Sequence, residues 1–474
     1  MKTFEGASAM VKLEINYGSG QIDLDIGDVE VLDQDHGGEE SVRSIYTAAA
    51  RKGDVIKNAI ENPCGTERLR EKIAGMKKDG KIVIVVDDHT RDVPTEKMLD
   101  ALTEEIAIFR DHSAEITLLV ACGTHEPPGE EDLRRILGKY SNHNRYIVKI
   151  SDCDAKDMVY VGTTSRGTPV KLNRDYVDAN IRILTGDITL HYYAGFGGGR
   201  KSILPGISSR ETITKNHLLL TDMHARTANI ERNPVHLDML EAASFAPPDF
   251  VLNIVAAGNG NVVAAYAGEV NQVFSKGVEV AKDLFCRETY GLFDLLIVSA
   301  GGYPKDSNLY QATKAVENCY RAVVQGGELI LVAECREGIG DRYFEEWMNR
   351  YRSFEETEEA IRTNFVLGGH KAYYIRKVMN RIGLSVVSSL DAAVLRSWEI
   401  KAYRSVQEAL AAVKKEGVSL RIGVVKKGVD ILIQDTNSIY NKKISNKHNG
   451  KSCKAEEDSS TRTESRRRTG MDRP

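Results

Sequence analysis

Three aliphatic segments, each followed by a polar cluster, constrain the fold of this chain more than any other feature. They are residues 81–86, 116–121 and 180–185, which are rich in Ile, Val and Leu. Such segments are typical of parallel strands, which are buried on both faces. In an open α/β sheet, ligands bind at the carboxyl ends of the strands. The pattern therefore predicts an α/β fold in which polar segments far apart in sequence converge on one cleft.

Residues 191–206, HYYAGFGGGRKSILPG, follow the third segment, and four of the five residues from Gly195 to Gly199 are glycine. This density does not suit the interior of a helix or strand, because glycine loses the most backbone entropy on ordering. It suits a loop whose N–H groups approach a ligand closely, and phosphate is the usual candidate. Arg200 and Lys201 add two positive charges at the end of the loop. The stretch predicts a cofactor pocket.

A helix is predicted directly after this loop. Ser208-Ser-Arg-Glu211 has the pattern of a capping box, in which the Ser and Glu side chains satisfy the first backbone N–H groups. The helix would carry His217 on its inward face. Taken alone, Lys201 would be interpreted as a surface lysine and His217 as a structural histidine. Their spacing after the glycine loop favours roles in a cofactor site.

The nucleotide-binding P-loop, G-x-x-x-x-G-K-[ST], is the obvious alternative for this stretch. Arg200 occupies the position of its last glycine, and Pro205 and Gly206 follow too soon for the long helix that a P-loop precedes. A module that binds phosphate or a nucleotide without catalysing a reaction is our second hypothesis. It leaves three histidines without a role: His125, His191 and His217.

Three further segments supply candidate site residues. Asp88-His-Thr-Arg91 and Gly123-Thr-His125 follow the first two strands, and Tyr310-Gln-Ala-Thr-Lys314 lies in the first turns of a predicted helix. Gln311 and Lys314 are three residues apart and so share a helix face. The simpler interpretations are an ion pair within the first segment, a structural histidine in the second and a solvated lysine in the third. Their occurrence together with the glycine loop favours a site.

These segments, in this order, resemble the nickel-pincer lactate racemase family. The similarity includes His191-x-x-Ala-Gly-Phe-x-Gly-Gly-Arg-Lys201, with His217 beyond it, and covers roughly residues 10–425. It implies that Lys201 covalently holds a nickel-pincer nucleotide, Ni(II)-pyridinium bisthiocarboxylate mononucleotide, and that His217 ligates the nickel. It also implies roles for the other segments: catalysis by His125 and His191, cofactor contacts from Asp88, His89, Thr90 and Arg91, and substrate contacts from Arg91, Gln311 and Lys314.

The reaction implied by this resemblance is racemisation or epimerisation at C2 of a 2-hydroxy acid, lactate or a related acid, through a 2-keto acid. The C2 hydrogen is poorly acidic, so its removal as hydride is easier if the hydroxyl group loses its proton at the same time. Histidine suits that proton transfer because its pKa lies near neutrality. Side chains offer no hydride acceptor, so a cofactor must supply one. Two histidines would provide one base for each enantiomer, in an order that the sequence leaves open.

The chain is long enough for two or three domains. The predicted fold class is α/β, with two α/β domains of mainly parallel sheets and the active site in the cleft between them. Residues 1–275 form the predicted cofactor-binding domain, and residues 276–425 the domain that closes over the substrate. Residues 426–474 are predicted to be a divergent, disordered tail, because from residue 442 onward only a few residues are apolar.

Charge and cysteine content indicate which partners and compartment to expect. Residues 1–440 contain 54 basic and 63 acidic residues, which argues against general nucleic-acid binding. No apolar segment reaches membrane-spanning length, and the N-terminus lacks the apolar core of a signal peptide. The seven cysteines include no C-x-x-C pair and fit a reducing cytoplasm, with Cys122 expected as a small buried residue. The expected partners are a small 2-hydroxy acid and the proteins that synthesise and load the cofactor, while the oligomeric state stays open.

Overall fold

The computed structural model describes residues 11–27, 29–33, 54–107, 114–257, 260–414 and 418–436. Within these residues lie two six-stranded sheets and four two-stranded ones. Strands in both large sheets pair mainly in parallel. The predicted class, two α/β units with mainly parallel sheets, is confirmed.

The strands of the described residues are, in chain order, β1 (Val11–Tyr17), β2 (Gly20–Ile26), β3 (Glu30–Val31), β4 (Lys81–Asp87), β5 (Glu115–Ala121), β6 (Tyr146–Ile150), β7 (Val159–Thr163), β8 (Pro169–Leu172), β9 (Ile181–Asp187), β10 (Leu190–His191), β11 (Gly195–Phe196), β12 (Phe250–Ala256), β13 (Val262–Gly268), β14 (Cys286–Thr289), β15 (Phe293–Ser299), β16 (Val323–Val332), β17 (Gly383–Val387), β18 (Lys401–Tyr403), β19 (Ile422–Val425) and β20 (Leu432–Asp435).

The α-helices of the same residues are α1 (Val55–Glu61), α2 (Leu69–Ala74), α3 (Thr95–Ala107), α4 (Glu130–Leu137), α5 (Arg174–Val177), α6 (Arg210–Leu218), α7 (Pro234–Ser244), α8 (Val270–Phe285), α9 (Leu309–Cys319), α10 (Arg342–Arg350), α11 (Phe354–Thr363), α12 (Gly369–Met379), α13 (Ala392–Ser397) and α14 (Val406–Val413). No helix among the described residues is both long enough and apolar enough to cross a bilayer.

The first large sheet has the order β13-β12-β9-β4-β5-β6. Its central strand β4 carries five consecutive buried residues, as a strand covered on both faces requires. Only β13 runs antiparallel, as the second strand of a hairpin with β12. Since β4, β5 and β9 are parallel, their carboxyl ends meet at one edge. This edge carries the segments that the sequence singles out.

The second large sheet has the order β18-β17-β16-β15-β19-β3, and its recorded pairings are all parallel. Strand β3, from the N-terminal part of the chain, completes one edge. Strands β1 and β2 form an antiparallel hairpin. Its apolar residues Leu13 and Leu24 are buried in one cluster with Leu295 of β15. This hairpin thus packs with the second sheet rather than with the first.

Two structural facts bear on the predicted domain limits. Residue 275 lies inside α8, which spans Val270–Phe285. Strand β20 lies beyond residue 425 and pairs in parallel with β14, burying Leu432 and Ile433. Residues 426–436 therefore fold with the body of the chain, although the predicted division placed them in the tail. Residues 437–474 lie outside the described part.

Candidate active site

A cavity of about 740 Å³ lies where the carboxyl ends of the first sheet face the second unit. Its walls come from the loops after β4, β5 and β9, and from α9 and α12. Residues that the sequence predicted to form the site line it together: Thr90, Arg91, His125, His191, Lys201, His217 and Lys314. Residues more than 200 positions apart in sequence thus meet in one cavity, because the strands of the first sheet are parallel and the second unit packs against their carboxyl ends.

Three other predicted residues do not line this cavity. Asp88 is buried behind His125. His89 turns its backbone carbonyl to the guanidinium of Arg135 at 3.5 Å, and Gln311 donates its backbone N–H to the capping side chain of Asn308. Each of the three still lies beside a residue that lines the cavity: Asp88 contacts His125, and His89 and Gln311 are the sequence neighbours of Thr90 and Tyr310.

Asp88 and His125 form a hydrogen-bonded pair. His125 Nδ1 lies 2.6 Å from Asp88 Oδ2, and the Thr90 hydroxyl donates to Asp88 Oδ1 at 2.6 Å. Burial raises the pKa of Asp88, but the hydrogen bonds from His125 and Thr90 outweigh it and hold that pKa below its ordinary value. A carboxylate at Nδ1 fixes the proton there and leaves Nε2 of His125 as the acceptor nitrogen.

His191 has a different environment. Its Nδ1 accepts the backbone N–H of Ala194 at 3.2 Å, and its ring stacks on Tyr192 with centroids 5.0 Å apart. Burial and the positive charges of Lys201 and Arg91 lower its pKa well below the ordinary value, so the ring is neutral near pH 7. Because Nδ1 is an acceptor, the single proton of the neutral ring sits on Nε2. The two histidines therefore present opposite groups at Nε2, an acceptor on His125 and a donor on His191.

The glycine-rich loop is wrapped around the side chain of Arg200. This guanidinium is fully buried and donates to the carbonyls of Ala194, Phe196 and Gly198 at 2.9, 3.0 and 3.0 Å. It also lies over the ring of Phe274, 4.3 Å from the centroid. Burial lowers its pKa to about 9, which still leaves it protonated at neutral pH. Arg200 is thus a structural cation and does not line the cavity.

The N–H groups of the loop point to the protein rather than to a ligand. Gly197 donates to the carbonyl of Thr189 at 2.8 Å, and Gly199 donates to Asn253 Oδ1 at 2.8 Å. For these two groups the phosphate-cradle interpretation of the sequence is wrong, because their hydrogen bonds are already made. What requires glycine is close packing: a Cβ on Gly198, where φ is +73°, would lie 2.7 Å from Ile188 Cγ1. The close packing of the loop thus positions the residue that follows Arg200, Lys201, at the cavity.

Lys201 is delivered in this way, within the single 3-10 turn Gly199–Ser202. Burial and the positive charges of Arg91 and Arg200 lower its pKa well below the ordinary value. Among the described residues, its Nζ has no hydrogen-bond or ion-pair partner. The lowered pKa favours the uncharged amine, and an uncharged, unpartnered amine is a nucleophile that can form a covalent bond with an electrophilic cofactor.

Asp87 and Asp187 form a carboxylate pair that sequence reasoning missed. They are the last residues of β4 and β9, on adjacent strands. Burial and the charge of Asp187 raise the pKa of Asp87 to about 7, and burial also raises that of Asp187. Arg91 and Lys201 oppose these shifts from the cavity side. The available signal was an acidic residue ending each of two aliphatic strands.

His217 lies on α6, which begins at Arg210 and is capped by Ser209, whose side chain accepts the N–H of Thr212. The predicted capping box placed this start one residue earlier, but the Ser208 hydroxyl donates instead to the carbonyl of Ile203. The helix presents His217 to the cavity as predicted.

The Asn216 side chain orients the His217 ring. His217 Nδ1 lies 3.1 Å from Asn216 Oδ1, and the Asn216 amide group donates to Asp238 Oδ2 at 2.9 Å. This chain fixes the Nδ1–H tautomer and leaves Nε2 with a free lone pair. Burial lowers the pKa of His217 to about 3, so the ring stays neutral. A neutral histidine whose other nitrogen donates to an oriented acceptor has the arrangement of a metal ligand.

Two other groups have simpler interpretations. Cys122 is buried, and burial raises the pKa of its thiol to about 12, as expected for a small core residue rather than a nucleophile. In the described residues, the group of three side chains spaced to hold a metal consists of Asp152, Cys153 and Asp154 and does not include His217. A metal at His217 would therefore take its remaining ligands from a cofactor or from water.

Tyr192 lines the cavity and contacts the second unit in a way that the sequence motifs did not indicate. The Tyr192 hydroxyl meets His370 Nε2 at 2.5 Å, and its ring packs edge-on against Tyr374. Both partners lie on α12. Tyr192 thus connects the glycine-rich loop of the first unit to the second unit across the cavity edge. The sequence pattern of α12 does not predict this contact, because the contact depends on how the two units pack against each other.

Comparisons with known proteins decide the family. A family model for the lactate racemase N-terminal domain matches residues 17–228, and one for the lactate racemase C-terminal domain matches residues 291–433. The lactate racemase of Thermoanaerobacterium thermosaccharolyticum is 30% identical over 434 residues, which cover 90% of this chain and 100% of that protein. This chain belongs to the lactate racemase family. It is accordingly an isomerase of the racemase type.

Other members of the lactate racemase family agree with this assignment. The lactate racemase of Lactiplantibacillus plantarum is 28% identical over 434 residues, covering 90% of this chain and 100% of that protein. The apoprotein structure of the T. thermosaccharolyticum lactate racemase superposes with a TM-score of 0.79 at 28% identity, covering 90% of this chain and all of that one. A Thermotoga maritima structure with a TM-score of 0.59 and 18% identity, covering 81% and 99% of the chains, shares the fold.

Proposed function

We propose that this protein inverts C2 of a 2-hydroxy acid by proton-coupled hydride transfer through a 2-keto acid, using a nickel-pincer nucleotide held by Lys201. The observation that carries the proposal is the convergence on one cavity of two differently supported histidines, an unpartnered lysine amine and an oriented, neutral histidine. Family membership supports the reaction type.

The residues present fit the proposed cofactor. The lowered pKa of Lys201 favours the uncharged, nucleophilic form of its amine, which is suited to a covalent bond with a thiocarboxylate carbon. His217 keeps Nε2 free as a nickel ligand, with Asn216 fixing its tautomer. Thr90 and Arg91 line the same cavity and supply polar contacts for the nucleotide part. When bound, the cofactor would supply the hydride acceptor that side chains lack.

The histidines account for the proton. His125, with Asp88 holding its Nδ1 proton, accepts the hydroxyl proton at Nε2 as the C2 hydrogen leaves. His191 begins as a donor at Nε2 and can act as a base only after its proton moves to Nδ1 and the Ala194 hydrogen bond is released. The enantiomer whose hydroxyl group faces His125 therefore reacts directly, whereas the other requires this rearrangement first.

Arg91 and Lys314 anchor the substrate carboxylate in this proposal. Both line the cavity, and Arg91 has no side-chain hydrogen bond or ion pair among the described residues. Burial and the charge of Arg91 lower the pKa of Lys314 to about 8, so most of the lysine is protonated at pH 7. With the carboxylate held, rotation about the C1–C2 bond turns the other face of the keto acid to the acceptor. That rotation also moves the oxygen from one histidine to the other.

Single-turnover spectroscopy of cofactor-loaded His125→Ala and His191→Ala variants tests the proposal. Each should lose at least about 10²-fold in steady-state racemisation, because inversion needs both bases. Each should still oxidise one enantiomer once, and the two variants should respond to opposite enantiomers. A response of both variants to the same enantiomer, or racemisation by either at the wild-type rate, would contradict the two-base assignment.

A phosphate- or nucleotide-binding module without racemase activity is the second candidate. It rested on the glycine-rich loop, whose Gly197 and Gly199 N–H groups are engaged within the protein. Nickel content after purification from cells that make the pincer cofactor separates the candidates, since a simple nucleotide binder would contain none.

A further inference from the structure

Lys371 is a buried lysine on the second unit's side of the cavity with no assigned role. It lies on α12 and lines the cavity, although the residue is only 1% exposed. Among the described residues, Nζ has no hydrogen-bond partner. Burial lowers the pKa of this amine to about 7, so its ammonium form is disfavoured unless an anion is bound beside it. A cavity-lining lysine without such a partner therefore points to a ligand.

Aromatic contacts fix where this ammonium group lies. Nζ is 4.4 Å from the ring centroid of Tyr192 and 5.8 Å from that of Tyr310. Tyr192 directly follows His191, and Tyr310 lies one helical turn before Lys314 on α9. Lys314 lies close enough for its positive charge to lower the pKa of Lys371. The two lysines can bind two anionic groups of one small molecule.

Acidic residues near Lys371 do not serve as its partner. Glu317 is the acid that acts most strongly on it, but the described residues include no hydrogen bond or ion pair between them, and Glu317 Oε1 is itself unpartnered. Glu317 lines a separate cavity of about 270 Å³. In the large cavity, Asp430 pairs with Lys305, and Asp33 accepts backbone N–H groups of residues 426 and 427.

We infer that Lys371 binds a second carboxylate, carried on the side chain of the substrate, and that the preferred substrates are short 2-hydroxy dicarboxylic acids. The inference rests on the proposed function for its reaction. Arg91 and Lys314 hold the C1 carboxylate, and Lys371 holds the far one. A monocarboxylate offers Lys371 no anion, so the ion pair that a second carboxylate would form is absent, and a site of this kind discriminates against monocarboxylates.

Steady-state kinetics on both enantiomers of 2-hydroxybutanedioate, 2-hydroxypentanedioate and lactate test this selectivity in cofactor-loaded protein. The wild type should favour one of the dicarboxylates over lactate by at least about tenfold in kcat/KM. Lys371→Met should remove this preference, mainly through KM, and Lys371→Arg should restore part of it. Lys377→Met, on the same helix but lining the smaller cavity, is the matched control and should keep the preference. A wild type that prefers lactate, or a Lys371→Met variant that loses both substrates equally, would overturn the inference.

Calorimetric titration of the cofactor-free protein gives a readout independent of turnover. The wild type should bind 2-hydroxybutanedioate at least about tenfold more tightly than lactate, and Lys371→Met should bind the two alike. Discrimination in binding without racemisation of any acid by loaded protein would refute the proposed function but keep the role of Lys371. Racemisation of lactate by loaded protein, together with equal binding of both acids, would support the proposed function but refute the role of Lys371.

Discussion

At the scale of single residues, burial disfavours the charged forms of the basic groups in the cavity. Burial is the largest cause of the lowered pKa values of His191, Lys201 and His217. The two histidines are therefore neutral at neutral pH and keep a lone pair, as a base or a metal ligand needs, and the uncharged, nucleophilic form of Lys201 is favoured. The hydrogen bonds to Asp88, Ala194 and Asn216 then decide which ring nitrogen of His125, His191 and His217, respectively, carries the lone pair.

Replacement of Lys201 tests the proposed covalent bond. Lys201→Ala and Lys201→Arg should both lose the cofactor mass increment, because neither offers a nucleophilic amine, while the fold survives. Intact-protein mass spectrometry after co-expression with the cofactor-synthesis proteins measures this. Lys171→Ala, which removes an exposed ion pair with Glu211, is the control and should load normally. An unchanged increment in either Lys201 variant would exclude Lys201 as the attachment site.

Replacement of His217 separates metal binding from covalent attachment. His217→Ala should keep the organic mass increment and lose nickel, because one lost ligand weakens a metal site without breaking a separate bond. Asn216→Ala should lower nickel affinity by about 10–100-fold through the lost orienting contact. Metal analysis of purified protein gives the stoichiometry, with the exposed His143→Ala as control. Full nickel occupancy in His217→Ala would rule out this ligand.

At the scale of elements, a loop packed without Cβ atoms places the reactive lysine. The Gly199–Ser202 turn is anchored by the Ser202 hydroxyl, which donates to the carbonyl of Thr185 in β9 at 2.9 Å, and by Arg200 inside the loop. Lys201 therefore stands on a rigid support at the end of a central strand. A reactive group needs such support to meet its partner in one geometry.

Gly198→Ala tests the packing of this loop. The new methyl group would lie 2.7 Å from Ile188 Cγ1 and 2.9 Å from the carbonyl oxygen of Asp187, in a backbone with φ +73°. Gly167 has a similar φ of +80°, and no atom lies within 4 Å of the position that a Cβ would take there. Chemical denaturation should show about 1–2 kcal/mol lost in Gly167→Ala from the left-handed backbone. Gly198→Ala should lose about 1–3 kcal/mol more from overpacking. Equal losses would show that the contact with Ile188 relaxes freely.

At the scale of the whole molecule, neither unit contains a complete site. The first unit supplies both histidines, Lys201 and His217, and the second supplies Lys314 and Lys371. The Tyr192–His370 hydrogen bond joins the two beside the cavity. Strands β1, β2 and β3 precede the first sheet in sequence but pack with the second sheet. Docking of the units is therefore part of assembling the substrate wall.

Two truncations test where the folded chain ends. Removal of residues 441–474 should leave activity and thermal stability nearly unchanged, because few of these residues are apolar. Removal of residues 431–474 also deletes β20 with the buried Ile431, Leu432 and Ile433, each worth about 1.5–3 kcal/mol. Thermal unfolding should show a large loss only in the longer truncation. A large loss of soluble, active protein in the shorter one would show that residues 441–474 are structural.

The sequence by itself determined the central parallel strands and the glycine-rich loop, and seven of the ten site residues predicted from it line the cavity. Aliphatic segments such as 81–86 predict buried parallel strands because backbone pairing and burial on both faces demand this composition locally. The polar residues after those strands, including Arg91, His125 and Lys201, then meet because parallel strands end at one edge.

Tertiary structure alone decided what depends on contacts between distant elements. Arg200 stands beside Lys201 in sequence, yet it is buried among carbonyls, because the fold of the loop and Phe274 enclose it. The tautomers of the histidines depend on single hydrogen bonds to Asp88 and Ala194. Lys371 belongs to no local pattern, and only the docking of α12 against the first unit makes it part of the cavity.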